Sequence, residues 1–457
     1  MTATTCWCEF AWLGGDRPEA GVLIEIEGER FSRVEPGTPA PPPAAKRLDG
    51  LTLPGFANAH SHAFHRALRG RVQAGRGSFW SWRESMYELA AALDPESYRA
   101  LARATFGEMA LAGITAVGEF HYLHHAPDGT PYDDPNEMGR AVVAAAREAG
   151  VRITLLDNCY LHGGFGTPLE PDQLPFGDES AAAWAERVED LGDLGPGARA
   201  GAAIHSVRAV DPESAAMVAG WAERRDWPLH AHVSEQPAEN EACIAAHGRR
   251  PTAVLADAGA LSERFTAVHF THVSGQDIGL LAERRSHCCL CPTTERDLAD
   301  GVGRARAIAE AGARLALGSD SHAVIDQFEE MRAVELDQRL VTGERGHHDA
   351  AELLRAACEQ GHASIGWPDA GRIEPDAIAD LVTVDLEGVR LAGAGPENAL
   401  EAAVFAASPA DVRSVIASGQ VVVDKGRHVG IDVAAELREA IGAVGGDLFS
   451  HSERNSP

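Results

Sequence analysis

Leu53-Pro54-Gly55-Phe56-Ala57-Asn58-Ala59-His60-Ser61-His62 reads as an apolar strand, Leu53–Ala59, that runs into a His-x-His pair. Residues two apart on a strand project to the same face. Two imidazoles on one face are half of a metal site and suit zinc or a similar borderline divalent ion. In a chain with 20 histidines one such pair is weak on its own. It gains weight because matching pieces recur at the ends of later strand-like runs.

From Leu53 to about residue 340, apolar runs alternate with helical patterns. The strand candidates after the first are Ile114–Phe120, Val151–Asp157, Ala200–His205, Pro228–Val233, Phe265–Phe270, His287–Cys291 and Leu315–Ser319. Helical periodicity falls between them, as in Pro95–Ala112, Glu137–Ala149 and Ser214–Arg225. Eight βα units of this size predict a parallel barrel with its helices outside.

The chain's two ends read differently. The first ~50 residues look like short strands, followed by a proline-rich link from Pro36 to Pro43 that cannot join a sheet interior. Beyond a helix at Glu352–Ala363, Ala379–Asp385 and Gln420–Asp424 look like strands again. The expected fold is therefore α/β, a (β/α)8 TIM-like barrel with a small β-sandwich domain built from both terminal segments. The expected boundaries are 1–52 and 371–432 for the small domain, 53–370 for the barrel, and 433–457 for a C-terminal helix with a polar tail from Ser450 to Pro457.

A formal net charge of -28 argues against nucleic acid and against anionic membrane surfaces. It also means that an anionic substrate would need arginines concentrated at its site. The eight cysteines are scattered through a chain large enough to form a core, unlike a secreted disulfide framework. Met1–Thr5 carries neither a basic start nor an apolar run, and no stretch is apolar enough to span a bilayer. A cytoplasmic protein is expected.

In a βα barrel, reactive groups belong at the carboxyl ends of the strands. That rule filters the histidines. His60 and His62 end the first strand, and His232 ends the fifth, with Glu235 three residues on. His269 ends the sixth, and Asp320 ends the eighth. His60, His62, His232 and Asp320 then converge on one rim, a plausible shell for one catalytic divalent metal ion that keeps room for water. Zinc is preferred, with iron and manganese left open. His230 shares a face with His232 but lies deeper. Asp320 taken alone reads equally as a cap for the next helix. His272 falls in a loop and is expected to make a structural hydrogen bond. The only lysines, Lys46 and Lys425, lie outside the barrel, which excludes a bridging carboxylated lysine; Glu119 remains a candidate bridge between two metals. The cluster Cys288-Cys289-Leu290-Cys291 reads as small apolar packing.

These residues resemble the amidohydrolase superfamily: Pro54-Gly55 before His60-x-His62, His232-x-x-Glu235, His269, and Gly318-Ser319-Asp320. Glu235 after the fifth-strand histidine resembles the mononuclear deaminase branch. Longer strings resemble the formimidoylglutamate deiminase family of histidine degradation more closely. They are His60–Ala67, Phe79–Glu84, Glu119–His125, His205–Val210, His232–Gln236 and Cys291–Glu295.

That resemblance implies zinc on His60, His62, His232 and Asp320, and catalytic roles for Glu235, His269 and Asp320. It implies substrate contacts from His65, Arg83, Tyr122, His205 and Arg208. His65 stands where the family often has glutamine; both can donate a hydrogen bond. The implied reaction converts N-formimidoyl-L-glutamate to N-formyl-L-glutamate and ammonia, with a small-molecule dicarboxylate as the partner and a homodimer as the assembly. Charge agrees, because two carboxylates on the substrate call for forked arginine pairs such as Arg208, near the end of strand four, and Arg83, in the loop region after strand one. A deaminase of a heterocycle such as guanine or cytosine is the alternative, and it would want aromatic stacking and amide hydrogen bonds instead.

Overall fold

The computed structural model describes residues 4–73 and 79–445, together with the side chains of all of these except 79 and 80. The tail expected at Ser450–Pro457, the start of the Met1–Thr5 reading, and the Phe79 and Trp80 side chains of one resemblance string lie outside the described residues. Four strands open the chain: β1 (Thr4–Ala11), β2 (Glu19–Glu27), β3 (Arg30–Glu35) and β4 (Lys46–Pro54). β1 pairs antiparallel with β2 and parallel with β4. The strand read as Leu53–Ala59 is in fact two. Leu53 and Pro54 finish β4, and the chain changes partners at Gly55, whose N–H donates to Asp380 O at 3.1 Å. A Cβ at residue 55 would meet Thr115 at 2.5 Å and Asp380 Cβ at 2.8 Å, so only glycine passes between the two domains here. The first part of the small domain therefore ends at residue 54, not 52, because the sequence run gives no sign of a change of hydrogen-bond partner.

The barrel strands are β5 (Phe56–Ser61), β6 (Ile114–His121), β7 (Arg152–Cys159), β8 (Ala198–Ile204), β9 (Leu229–Val233), β10 (Phe265–His269), β11 (His287–Leu290) and β12 (Arg314–Leu317). They form one parallel sheet in sequence order. β6 and β7 are buried at every position, as expected of strands covered on both faces. Inside, small side chains (Ala57, Ala59, Ala116, Cys289, Ala316) form their own buried cluster with Ile365 and Trp367. Ile365 O accepts from Thr154 Oγ1 at 2.6 Å, and the Trp367 indole donates to the same hydroxyl at 3.0 Å, which plugs the lower end.

The helical pattern Glu352–Ala363 is one rod, Ala350–Ser364, with a π-helical stretch at Ala356–Gln360. Helix Pro95–Leu111 begins as its sequence dictates, with Asp94 capping Ser97 N at 2.8 Å and proline at the first position.

The small domain is completed by β13 (Leu381–Val384), β14 (Val412–Ala417), β15 (Gln420–Asp424) and β16 (Arg427–His428). β13 pairs antiparallel with β4, so the two ends of the chain make one mixed sheet of eight strands. The expected sandwich is this single sheet folded over a core of Cys8, Ile24, Phe31, Leu48, Leu381 and Ile416. Alternation within strands reveals a half-buried sheet but not whether two layers are joined.

Part of the 371–432 segment serves the barrel. Helix Ala399–Ala406 packs on the barrel helices Gln327–Thr342 and Ala350–Arg355. The C-terminal helix Val433–Gly445 packs on Pro95–Leu111. At the junction, Asp380 binds Arg152 through two hydrogen bonds, at 2.8 and 2.5 Å, with both side chains buried. Among the described residues no helix is long and apolar enough to cross a membrane.

Candidate active site

The barrel closes where its first and last strands meet, and the closing residues are the candidate ligands. Asp320 N donates to His60 O at 3.0 Å, and His62 N donates to Asp320 O at 3.3 Å. β12 can come this close because residue 318 has no side chain. A Cβ on Gly318 would lie 2.8 Å from His60 Cβ and 2.9 Å from His60 O. Gly318→Ala therefore sets a new methyl against backbone that cannot give way. It is expected to cost roughly 1–3 kcal/mol of stability and to lower metal stoichiometry. Denaturant midpoints and elemental analysis check this; full stability with full metal content would contradict it.

Three imidazoles and a carboxylate converge at this seam. His60 Nε2 is 3.1 Å from His232 Nε2 and 3.4 Å from Asp320 Oδ1. His62 Nε2 is 3.3 Å from the same oxygen. All four residues are buried. Two ligand atoms each about 2.1 Å from a tetrahedral ion lie about 3.4 Å apart, so the spacing fits one divalent cation. Burial pushes the His62 imidazole down to about 3, and it lowers His60 as well, which leaves neutral nitrogens whose lone pairs face one another. Such a set repels itself unless a cation sits among it. The His62 ring is fixed from behind, with Nδ1 donating to Phe120 O at 2.9 Å. Burial alone would raise the Asp320 carboxyl, but the surrounding His60, His269 and His62 outweigh that and hold it well below the usual range.

Beside these groups stand His269 and Glu235. His269 Nε2 is 3.7 Å from Glu235 Oε1 and 3.8 Å from Asp320 Oδ2, too far for direct hydrogen bonds. The three therefore surround a space in which a reacting group can be held. On its other side, His269 Nδ1 is 3.5 Å from Glu295 Oε1. Burial would lower the His269 imidazole, but Glu235, Glu295 and Asp320 raise it well above its ordinary value. Burial raises Glu235 against the pull of His269 and Arg208. Ser234 (φ 55°), His269 (φ 65°), Phe270 (φ 56°), Asp320 (φ 44°) and His322 (φ 57°) all adopt left-handed backbone. Such conformations are costly for side chains other than glycine and cluster where a rim must aim its groups.

The sequence alternatives resolve at this level. His230 turns to the barrel floor, its Nε2 at 2.9 Å from Ser364 O. His272 bonds Asp300 O at 2.6 Å. Asp320 caps nothing, since the next helix starts at Gln327 behind Asp326. Glu119 is no bridge: its carboxylate takes Ser61 Oγ at 2.5 Å and Ala63 N at 2.6 Å, and burial raises it to about 8. Among the described residues, no group suited to a metal includes a cysteine.

The same cavity gathers His65, Arg83, Tyr122, His205 and Arg208 beside the ligand cluster. Arg83 lies on helix Phe79–Ala91 and not in the loop region read from sequence, where no periodicity marked that helix. His65 Nε2 and the Tyr122 hydroxyl are 2.7 Å apart. The Arg208 Nε is buried without a hydrogen-bond partner. Sequence reasoning assigned no role to Tyr87, Tyr160, Phe176 or Trp82, which also line this cavity. It also missed Ser61 and His322, which sit 3.1 Å apart beneath the ligands. Tyr160 follows the last residue of β7, so the strand-end rule marks it once it is applied beyond histidine and acids.

With this geometry in view, the chain's likenesses fall together. A model described as the amidohydrolase family matches residues 51–422. Formimidoylglutamate deiminase of Pseudomonas aeruginosa is 37% identical over 428 residues, covering 91% of this chain and 92% of the relative. The 5-methylthioadenosine/S-adenosylhomocysteine deaminase of Halobacterium salinarum is 30% identical over 426 residues, covering 92% of each. A crystal structure of an amidohydrolase from Brucella melitensis superposes with a TM-score of 0.88 at 34% identity, covering 96% of this chain and 99% of that one.

Proposed function

The chain belongs to the amidohydrolase family and is a hydrolase acting on C–N bonds, and from that premise we propose that it deaminates N-formimidoyl-L-glutamate to N-formyl-L-glutamate and ammonia. The observation that carries this reading is the pair Arg83 and Arg208, both facing the cavity that holds Glu235, His269 and Asp320. A chain of net charge -28 places two guanidinium groups there, and a dicarboxylate is what they fit.

We assign His60, His62, His232 and Asp320 as the ligands of one divalent ion, zinc by the nature of the donor set. A cation so held lowers the pKa of water toward ~7, which makes attack feasible at neutral pH. Asp320 Oδ takes a proton from the attacking water as its oxygen joins the formimidoyl carbon. His269, whose imidazole its carboxylate neighbours raise above the ordinary value, donates to the tetrahedral centre and steadies its charge. Glu235 relays a proton to the terminal nitrogen. The C–N bond to that nitrogen breaks, ammonia leaves, and the carbonyl of the N-formyl product remains. His65, Tyr122 and His205 orient the substrate, and Arg83 and Arg208 hold its carboxylates.

Relatives named for purine substrates give the test its competitor. The ratio of kcat/KM for N-formimidoyl-L-glutamate to that for 5-methylthioadenosine, S-adenosylhomocysteine and 8-oxoguanine should favour the linear amidine by several decades. A purine turned over faster would transfer the assignment to the heterocycle branch.

A further inference from the structure

The wall of this cavity contains a hydroxyl whose proton finds no free acceptor among the described residues. Gln173 is fully buried on the 3-10 helix Pro171–Phe176. Its Oε1 accepts from Glu170 N at 2.9 Å, which fixes the other end of the amide as the donor. Gln173 Nε2 is 3.1 Å from the Tyr87 hydroxyl and 3.1 Å from the Tyr160 hydroxyl. Arg83 Nε also donates to Tyr87. The Tyr87 oxygen thus faces two donors, one for each lone pair, and it can offer only its proton.

The Tyr160 hydroxyl also meets that of Tyr87, and with both Tyr87 lone pairs facing donors the proton between the two comes from Tyr87. Among the described residues no other acceptor meets its hydroxyl, and the residue is only 4% exposed. A buried O–H left unmade is costly, whereas phenylalanine would fill the same space without that cost. Tyr160, Arg83 and Arg208 line the same cavity. Phe176, three residues after Gln173 and so on the same face of a 3-10 turn, supports the rings, at 5.8 Å from Tyr87, 5.1 Å from Tyr122 and 6.0 Å from Tyr160.

We propose that the Tyr160 hydroxyl donates a hydrogen bond to a substrate carboxylate between Arg83 and Arg208, with Gln173 and Tyr87 as the positioning residues that turn its proton toward the ligand. This rests on the dicarboxylate reading above. It makes Tyr160 a determinant of specificity, because an uncharged heterocycle edge would gain less from the same donor.

The test uses metal-loaded enzyme, steady-state kinetics with N-formimidoyl-L-glutamate, and calorimetric binding of N-formyl-L-glutamate. Tyr160→Phe removes one oxygen and is expected to raise KM about 10- to 100-fold, with kcat changed less than about threefold and product affinity weakened by the same factor as KM. Gln173→Leu, which touches no ligand, is expected to raise KM in the same direction while sparing kcat. Wild-type turnover with an unchanged KM in Tyr160→Phe overturns the inference and leaves the proposed activity standing. Wild-type enzyme that neither binds nor converts the dicarboxylates overturns both.

Discussion

Glu235→Gln is expected to lower kcat for N-formimidoyl-L-glutamate by on the order of 10³-fold while the protein keeps one metal ion per chain. Glu235 stands outside the cluster of His60, His62, His232 and Asp320, so an amide there leaves the cation site intact. It removes the cavity-lining carboxylate that stands 3.7 Å from His269. A proton relay must begin as a carboxylate able to accept. Burial raises this carboxyl above its ordinary 4.5, so on acidification the carboxylate is lost at a higher pH than for a free glutamate. The acid limb of kcat/KM should therefore lie above 4.5 and vanish from the residual activity of Glu235→Gln. Near-normal turnover, or loss of the metal together with activity, would remove Glu235 from the relay.

Arg208→Ala is expected to raise KM about 100-fold, the scale for removing one partner of a desolvated, charge-assisted pair, with a smaller change in kcat. The Arg208 guanidinium forms no ion pair among the described residues, and its Nε is buried without a hydrogen-bond partner there, so a bound carboxylate would supply a contact that the protein leaves unmade. Arg208→Lys should fall between wild type and alanine, because a point charge cannot make the forked contact. Equal KM values for the three proteins would exclude Arg208 from carboxylate binding.

Much of this architecture can be read from residue types and spacing. The eight barrel strands announce themselves as apolar runs because both faces of a parallel sheet are covered. Their ends then bring forward His60, His62, His232, His269 and Asp320 as candidates, although Asp320 taken alone reads equally as a helix cap. What stayed hidden was whatever depends on partner choice. Leu53 and Phe56 are equally apolar, yet they join different sheets across Gly55. The small β domain expected from both ends of the chain is one sheet for the same reason, since β4 joins its two halves. Arg83 reads as a loop residue in sequence because Phe79–Ala91 has little amphipathic pattern. Tyr87, Gln173 and Tyr160 come from three separate segments, so their shared hydroxyl network exists only after folding.

The most direct test of the proposed activity is proton NMR of zinc-loaded protein mixed with N-formimidoyl-L-glutamate, run beside an ammonia assay. The proposed reaction predicts N-formyl-L-glutamate and ammonia rising in step. Formamide with free glutamate would contradict the assigned scissile bond. An unchanged spectrum with zinc bound would contradict the substrate itself.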